Sequence, residues 1–293
     1  DPGNIIQELD EENNGYTQNL IFNNVPAMDV KIVPIQYTHT PNGQTYPPPT
    51  QDTISDYMSR TYPVGDINTS FRAPYSFTGD LTQLSEWQRI LQEVTSLKNA
   101  DGSPPSQFYY ALIPVQNSNG AWFSGGIAGF GWIGGSRTSV GLDLSTIWNN
   151  WPFSGWLAAH EIGHNLERWH APCGTTSGLD PDYPYPDGSI GELGVDVLVP
   201  EIQSSDSRSD FMSYCQPQWI SDYTYQALYT KLRASAPLAQ AGATDSLLIR
   251  ASLDEDGKAT LLPVYALNAP PTPLDRKSTR LNSSHMSESR MPS

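Results

Sequence analysis

One eleven-residue stretch constrains this chain more than any other. His160-Glu161-Ile162-Gly163-His164-Asn165-Leu166-Glu167-Arg168-Trp169-His170 carries three of the five histidines. On an α-helix His160 and His164 are four residues apart, so both imidazoles leave one face about one turn apart. Two neutral imidazole nitrogens at that spacing can ligate one Zn²⁺ at roughly 2.0–2.1 Å. Glu161 lies beside the first of them and can reach a water as general base. His170 obeys a different condition. Six helical steps of about 100° rotate it by about 240° from His164. It can join the same ion only if the helix stops after His164 and the chain turns back.

A second stretch belongs with the first. Asp210-Phe211-Met212-Ser213-Tyr214-Cys215 places a tyrosine two residues after a methionine, well beyond His170. Together the two stretches resemble the metzincin zinc peptidases, whose signature is H-E-x-x-H-x-x-G-x-x-H followed by a Met-turn. The resemblance implies zinc ligation by His160, His164 and His170, with Met212 as an apolar floor below the metal. It gives Glu161 the role of general base, and Tyr214 that of an extra ligand or oxyanion stabiliser. The chain departs from the signature at Glu167, where the family has Gly. A left-handed conformation there costs about 1–2 kcal/mol. The alternatives are a wider turn or weaker binding by His170; Glu167 itself as third ligand fits no zinc spacing.

The resemblance also implies that the segments after His170 and around Met212 converge. The two cysteines, Cys173 and Cys215, would then meet in a disulfide, with two buried thiols as the alternative. Just before the zinc helix, metzincins use an edge strand to pair with the substrate peptide. The Gly-rich stretch Gly126-Ile127-Ala128-Gly129-Phe130 lies at that place, and is either such a strand or a glycine-rich hairpin without a ligand. Ser154 is a candidate N-cap for a zinc helix over about 155–167.

Composition bounds the remaining choices. The net charge is −15, from 31 acidic and 16 basic side chains, which argues against a nucleic-acid partner and against anionic membranes. No stretch approaches the roughly 20 apolar residues of a membrane span. The low charged fraction, 16%, with abundant Gly, Pro, Asn, Ser and Thr, suits a secreted protein. The chain opens Asp1-Pro2-Gly3 and is read as processed or fragmentary.

Along the chain, residues 1–20 read as a flexible acidic arm and 21–235 as the catalytic domain. Val30–Tyr37 is an expected strand in which Pro34 marks an irregularity or a sheet edge. A short helix follows over 53–61 and a strand over Asp66–Phe71. Leu81, Leu84, Trp87, Ile90, Leu91, Val94 and Leu97 recur at helical spacing and predict a helix backing a sheet. Ser106–Val115 is a further strand, and a helix capped by Ser221 runs through about Ala234. Oxygen ligands are dense in 174–210, at Asp180, Asp182, Asp187 and Asp206. That composition suits calcium, although the spacing matches no EF-hand and solvated loop acids are the plainer account.

Residues 236–244 read as a linker. Residues 245–269 form a β-hairpin around Asp254-Glu255-Asp256-Gly257, the start of a truncated β-domain or a hairpin docked on the catalytic domain. Residues 270–293, without periodicity, read as a disordered, non-native tail, and His285 is set aside with them. The expected fold class is therefore α+β: a metzincin-like domain with a twisted mixed sheet, backing helix, zinc helix and lower Met-turn subdomain, followed by the hairpin.

The function these readings imply is a secreted, monomeric zinc endopeptidase acting on proteins or peptides. Its rivals are a zinc-binding adhesin on a degenerate peptidase fold, an aminopeptidase of the wider H-E-x-x-H group, and a purely structural zinc domain.

Overall fold

The structure, a computed structural model, describes residues 25–115, 122–123, 126–145, 153–175, 177–196, 198–199, 201–234, 245–253 and 259–268. The acidic arm 1–20, the linker 236–244, the tail 270–293 and the 254–257 turn lie outside the described residues. The chain divides into two units, and the first, Val25–Gly194 with Gln203–Pro237, contains all the site residues named above.

In chain order the elements are β1 (Met28–His39), β2 (Gln44–Tyr46), α1 (Ser55–Thr61), β3 (Ile67–Phe71), β4 (Tyr75–Gly79) and α2 (Leu84–Ala100). There follow β5 (Phe108–Pro114), β6 (Gly129–Gly131), β7 (Thr138–Asp143) and α3 (Phe153–Asn165). The short strands β8 (Gly194–Asp196), β9 (Glu201–Gln203), β10 (Ser209–Asp210) and β11 (Gln218–Trp219) precede α4 (Asp222–Ala234). In the second unit, β12 (Asp245–Leu253) and β13 (Ala259–Asn268) pair antiparallel, as the hairpin pattern predicts.

The main sheet is mixed, in the order β2-β1-β5-β7-β6, with β3 and β4 also paired to β1. β1 runs parallel to β3, β4 and β5, and β5 runs parallel to β7. β2 and β6 are antiparallel to their neighbours. Pro34 does mark an irregularity, but in a central strand and not at an edge. β1 pairs with β3 through Met28–Ile32 and with β4 from Ile35 onward. The missing N–H of proline falls where the strand exchanges one neighbour for another.

Alternation along β5 builds two cores from one strand. Phe108, Tyr110 and Leu112 face Ala158, Ala159 and Ile162 of α3. Tyr109, Ala111 and Ile113 face Trp87, Ile90, Leu91 and Val94 of α2, which backs the sheet at the spacing read from sequence. The Trp87 indole donates to Leu81 O at 2.7 Å, which explains why Leu81 keeps the helical spacing while lying before the helix. α4 is capped as expected, with Ser221 Oγ accepting from the Thr224 N–H at 3.0 Å. The protein is thus α+β, with a mixed sheet and, among the described residues, four helices. No described helix is long and apolar enough to cross a membrane.

Candidate metal centre

The helix bearing His160 and His164 starts and stops two residues earlier than its expected span, at Phe153–Asn165. Ser154 is therefore not an N-cap but a first-turn residue. Its hydroxyl donates to Asp143 Oδ1 at 3.2 Å and accepts from the Leu144 N–H at 2.8 Å, so the end of β7 claims it.

The helix end is what delivers His170. Glu167 has φ 65, a left-handed backbone. The Arg168 N–H reaches back to Gly163 O at 3.0 Å and the Glu167 N–H to His164 O at 2.9 Å. This is a Schellman closure with a non-glycine residue at its left-handed position. The chain turns back, and His170 pairs with a loop: its N–H donates to Gly178 O and its carbonyl accepts from Asp180 N, both at 2.8 Å.

The three imidazoles converge. One potential ligand atom from each of His160, His164 and His170 lies within 4.8 Å of the others. Each Nδ1 sits against a backbone carbonyl: His160 on Phe211 at 2.8 Å, His164 on Arg168 at 2.7 Å, His170 on Ser177 at 2.7 Å. A carbonyl only accepts, so every Nδ1 carries a proton, and Nε2 is the atom left to ligate a metal from the neutral imidazole. Burial, then the neighbouring His164, holds His160 well below the ordinary histidine range. Burial lowers His164 to about 4. Three converging imidazoles, each with Nδ1 fixed as a donor, are a set suited to a divalent metal such as zinc. The loop acids Asp180, Asp182, Asp187 and Asp206 form no such cluster; among the described residues the metal-competent group is the histidine triad. Asp180 instead accepts from the Tyr223 hydroxyl, and Asp187 from the Ser189 N–H.

Glu161 lies next to His160 on the buried side of α3. Burial raises its carboxyl to about 8. β6 presses against it. A Cβ on Gly129 would stand 2.5 Å from Glu161 Oε1, and one on Gly131 would stand 2.7 Å from the Glu161 carbonyl. These glycines are required for close approach of strand to helix. The strand itself is Gly129–Gly131; Gly126 and Ile127 precede it, Gly126 with φ 106. Leu142 N bonds Ala128 O at 3.0 Å and Trp132 N bonds Thr138 O at 3.5 Å. Antiparallel bonds alternate, so Ala128, Phe130 and Trp132 turn their main-chain groups to β7, while Gly129 and Gly131 turn theirs to the open edge of the sheet.

The 210–215 turn lies below α3. Met212 is buried, and its Sδ stands 2.5 Å from where a Gly163 Cβ would be. Tyr214 is half exposed, with its hydroxyl 3.5 Å from His170 Nε2. Cys173 and Cys215 form a disulfide with Cα atoms 5.6 Å apart. Beside it, Tyr214 N donates to Cys173 O at 2.9 Å and Ala171 N to Met212 O at 3.1 Å.

Two organising residues carry no role in the sequence reading. Asp210, fully buried, accepts from Met212 N at 2.7 Å and from Ser221 N at 2.8 Å, and so shapes the turn. Asn165 donates to Trp132 O and Thr138 O at 2.9 and 3.0 Å, tying the end of α3 to the β6–β7 connection. A buried Asn directly after H-E-x-x-H, and an Asp two residues before the Met, were visible signals: short polar side chains at the ends of elements commonly satisfy backbone groups.

Fold and site define an α+β protein with a buried three-histidine centre able to hold a metal ion. No family model matches the chain, and no curated protein matches it. Among solved structures, wild-type OgpA from Akkermansia muciniphila is similar at a TM-score of 0.39 and 16% identity, over 82% of this chain and 72% of that one. A likeness of that degree carries no argument about activity.

Proposed function

We propose that the protein is a secreted, metzincin-type zinc endopeptidase that acts as a monomer on proteins or peptides. The observation that carries this reading is the convergence of three Nε2-presenting histidines beside a buried glutamate and an open strand edge. One Zn²⁺ held by His160, His164 and His170 would supply Lewis acidity, polarising the scissile carbonyl and lowering the pKa of water toward about 7. Glu161 takes the proton of the attacking water and passes it to the leaving amine. Burial raises the proton affinity of this carboxyl, which suits a group that takes the proton of the water. The Tyr214 hydroxyl, beside His170 Nε2, donates to the developing oxyanion. Gly129 and Gly131 offer outward main-chain donors and acceptors to an extended substrate, and their missing side chains keep that substrate close to Glu161.

In this reading the catalytic domain is 21–235, with Met212 as its Met-turn, and the β12–β13 hairpin opens a separate β-segment. The disulfide is compatible with an extracellular setting.

The test is cleavage of a peptide blocked by acetylation, with zinc content measured on the same samples. Wild type should carry one zinc per chain and cut internally. Glu161→Gln should keep the zinc and lose nearly all turnover. Equal turnover in Glu161→Gln would overturn the peptidase reading in favour of a zinc-binding module. Cleavage restricted to peptides with free amino termini would identify an aminopeptidase.

A further inference from the structure

Tyr110 stands fully buried on β5, facing α3, and its hydroxyl has no hydrogen-bond partner among the described residues. A buried hydroxyl without a partner is costly and therefore calls for an explanation. Its surroundings supply one. A Cβ on Gly141 would land on the Tyr110 hydroxyl, and would stand 3.2 Å from Leu157 Cδ2. Leu157 and Glu161 are four apart on α3 and so share one face of that helix. Gly141 pairs directly with Gly129, and a Cβ on Gly129 would meet the Glu161 carboxyl. The two glycines form one cross-strand pair with no side chain between them, and such neighbours lie within about 4.5–5.5 Å of each other. The phenol and the carboxyl thus occupy adjoining halves of a single space between sheet and helix. Each is buried, and the phenol has no hydrogen-bond partner among the described residues. The electrostatic influence of Glu161 on the phenol agrees with this closeness.

We propose that Tyr110 is a positioning residue for Glu161: its hydroxyl donates to the carboxyl group across one buried water. Held in this way, the carboxylate stays aimed across Gly129 toward the histidine centre and does not collapse into the core. The Gly129–Gly141 pair leaves room for that contact, because a methyl on either glycine would fill the space that one of the two groups occupies. The contact itself needs no bound metal. Its catalytic consequence rests on the peptidase reading.

The experiment is a double-mutant cycle on thermal stability in the metal-free protein, using Tyr110→Phe and Glu161→Met singly and together, with kinetics of Tyr110→Phe after zinc loading. If the hydroxyl serves Glu161, Tyr110→Phe lowers the melting temperature when Glu161 is present. In the Glu161→Met background it raises it, because only an unpartnered hydroxyl is then removed. In the loaded protein kcat falls about three- to tenfold, as for one lost hydrogen bond, while KM stays unchanged. Additive melting temperatures across the cycle overturn the proposal, as does an unchanged kcat in an active enzyme. A non-additive cycle in a protein that cuts no peptide upholds the contact and sinks the peptidase reading instead. The two failures are therefore told apart by separate measurements.

Discussion

The His164 imidazole donates from Nδ1 to the carbonyl of Arg168 at 2.7 Å, and that carbonyl is in place because Glu167 between them is left-handed, with φ 65. One backbone conformation thus does two jobs. It fixes the tautomer of the second histidine and reverses the chain so that the third arrives. The Glu167 side chain adds a surface ion pair with Lys231 of α4, both partners being about half exposed. Exposed pairs of this kind contribute about 0–1 kcal/mol, which offsets part of the left-handed cost and no more.

Glu167→Gly should therefore be nearly neutral. It relieves the left-handed strain of about 1–2 kcal/mol, but loses the ion pair and adds unfolded-state freedom of about 0.5–1 kcal/mol. Glu167→Val should lower stability by about 2 kcal/mol, because a β-branched residue resists that conformation. It should also weaken zinc binding by loosening both His164 and His170. Chemical denaturation and competition with a zinc chelator measure the two effects. Equal zinc affinity in the Gly and Val variants would show that the turn does not govern the site.

Gly129 and Gly131 should respond differently to the same methyl group. On Gly129 it meets the mobile end of Glu161, so Gly129→Ala displaces the carboxyl while the strand stays in place. Turnover should fall by at least about tenfold, as for loss of a well-placed proton shuttle, with zinc content and melting temperature close to wild type. On Gly131 the methyl meets the Glu161 carbonyl, part of the helix backbone. Strand and helix must separate, and stability should drop by about 1–3 kcal/mol, the usual range for overpacking. The reverse pattern in an activity and melting assay would contradict this packing of β6 on α3.

The legibility of the sequence follows physical scale. Features set by local periodicity or by covalent spacing could be read directly: the α2 stripe, the apolar run of β5, His160 with His164, and the Ser221 cap. The convergence of Cys173 with Cys215, and of His170 with the pair on α3, followed once the family resemblance brought two stretches together. The three-residue strand β2 was not legible, because it holds too few residues to show a period and exists through its neighbour, and β6 was placed by the family resemblance and not by a period of its own. The roles of Asp210 and Asn165 were hidden for a related reason: a short polar side chain shows its value only when the backbone groups it satisfies have been brought to it.

The disulfide joins the segment after His170 to the one bearing Met212 and Tyr214, residues 42 apart in sequence. Replacing Cys173 and Cys215 with Ser should cost about 2–4 kcal/mol, mainly by releasing the unfolded chain. His160 and His164, held on α3, should keep their geometry. Tyr214, which shares a backbone bond with Cys173, should move. Zinc should thus be retained more weakly, with turnover lost more than metal. Parallel melting and zinc titrations in oxidised and reduced protein check this. Full turnover after reduction would exclude a supporting role for the bridge at Tyr214.

Lys98 gives a pH dependence remote from the metal. It is buried at the end of α2 and donates to Ser136 O at 2.9 Å. Burial first, and the Arg137 guanidinium second, lower it from 10.5 to about 8. The sign follows from proton counting. Between about pH 8 and pH 10.5 the unfolded chain holds the proton and the folded one has released it, so stability from this group rises with pH across that window. Below about pH 8 both states are charged and the folded state bears the full desolvation cost. Lys98→Met removes the titration. Many tyrosines titrate near the top of the same window, so the informative quantity is the difference between variant and wild type. The melting temperature of Lys98→Met relative to wild type should decline steadily from about pH 8 to pH 10. A difference that stays flat across that range would mean that the ammonium reaches water and that Lys98 is not held in a desolvated state.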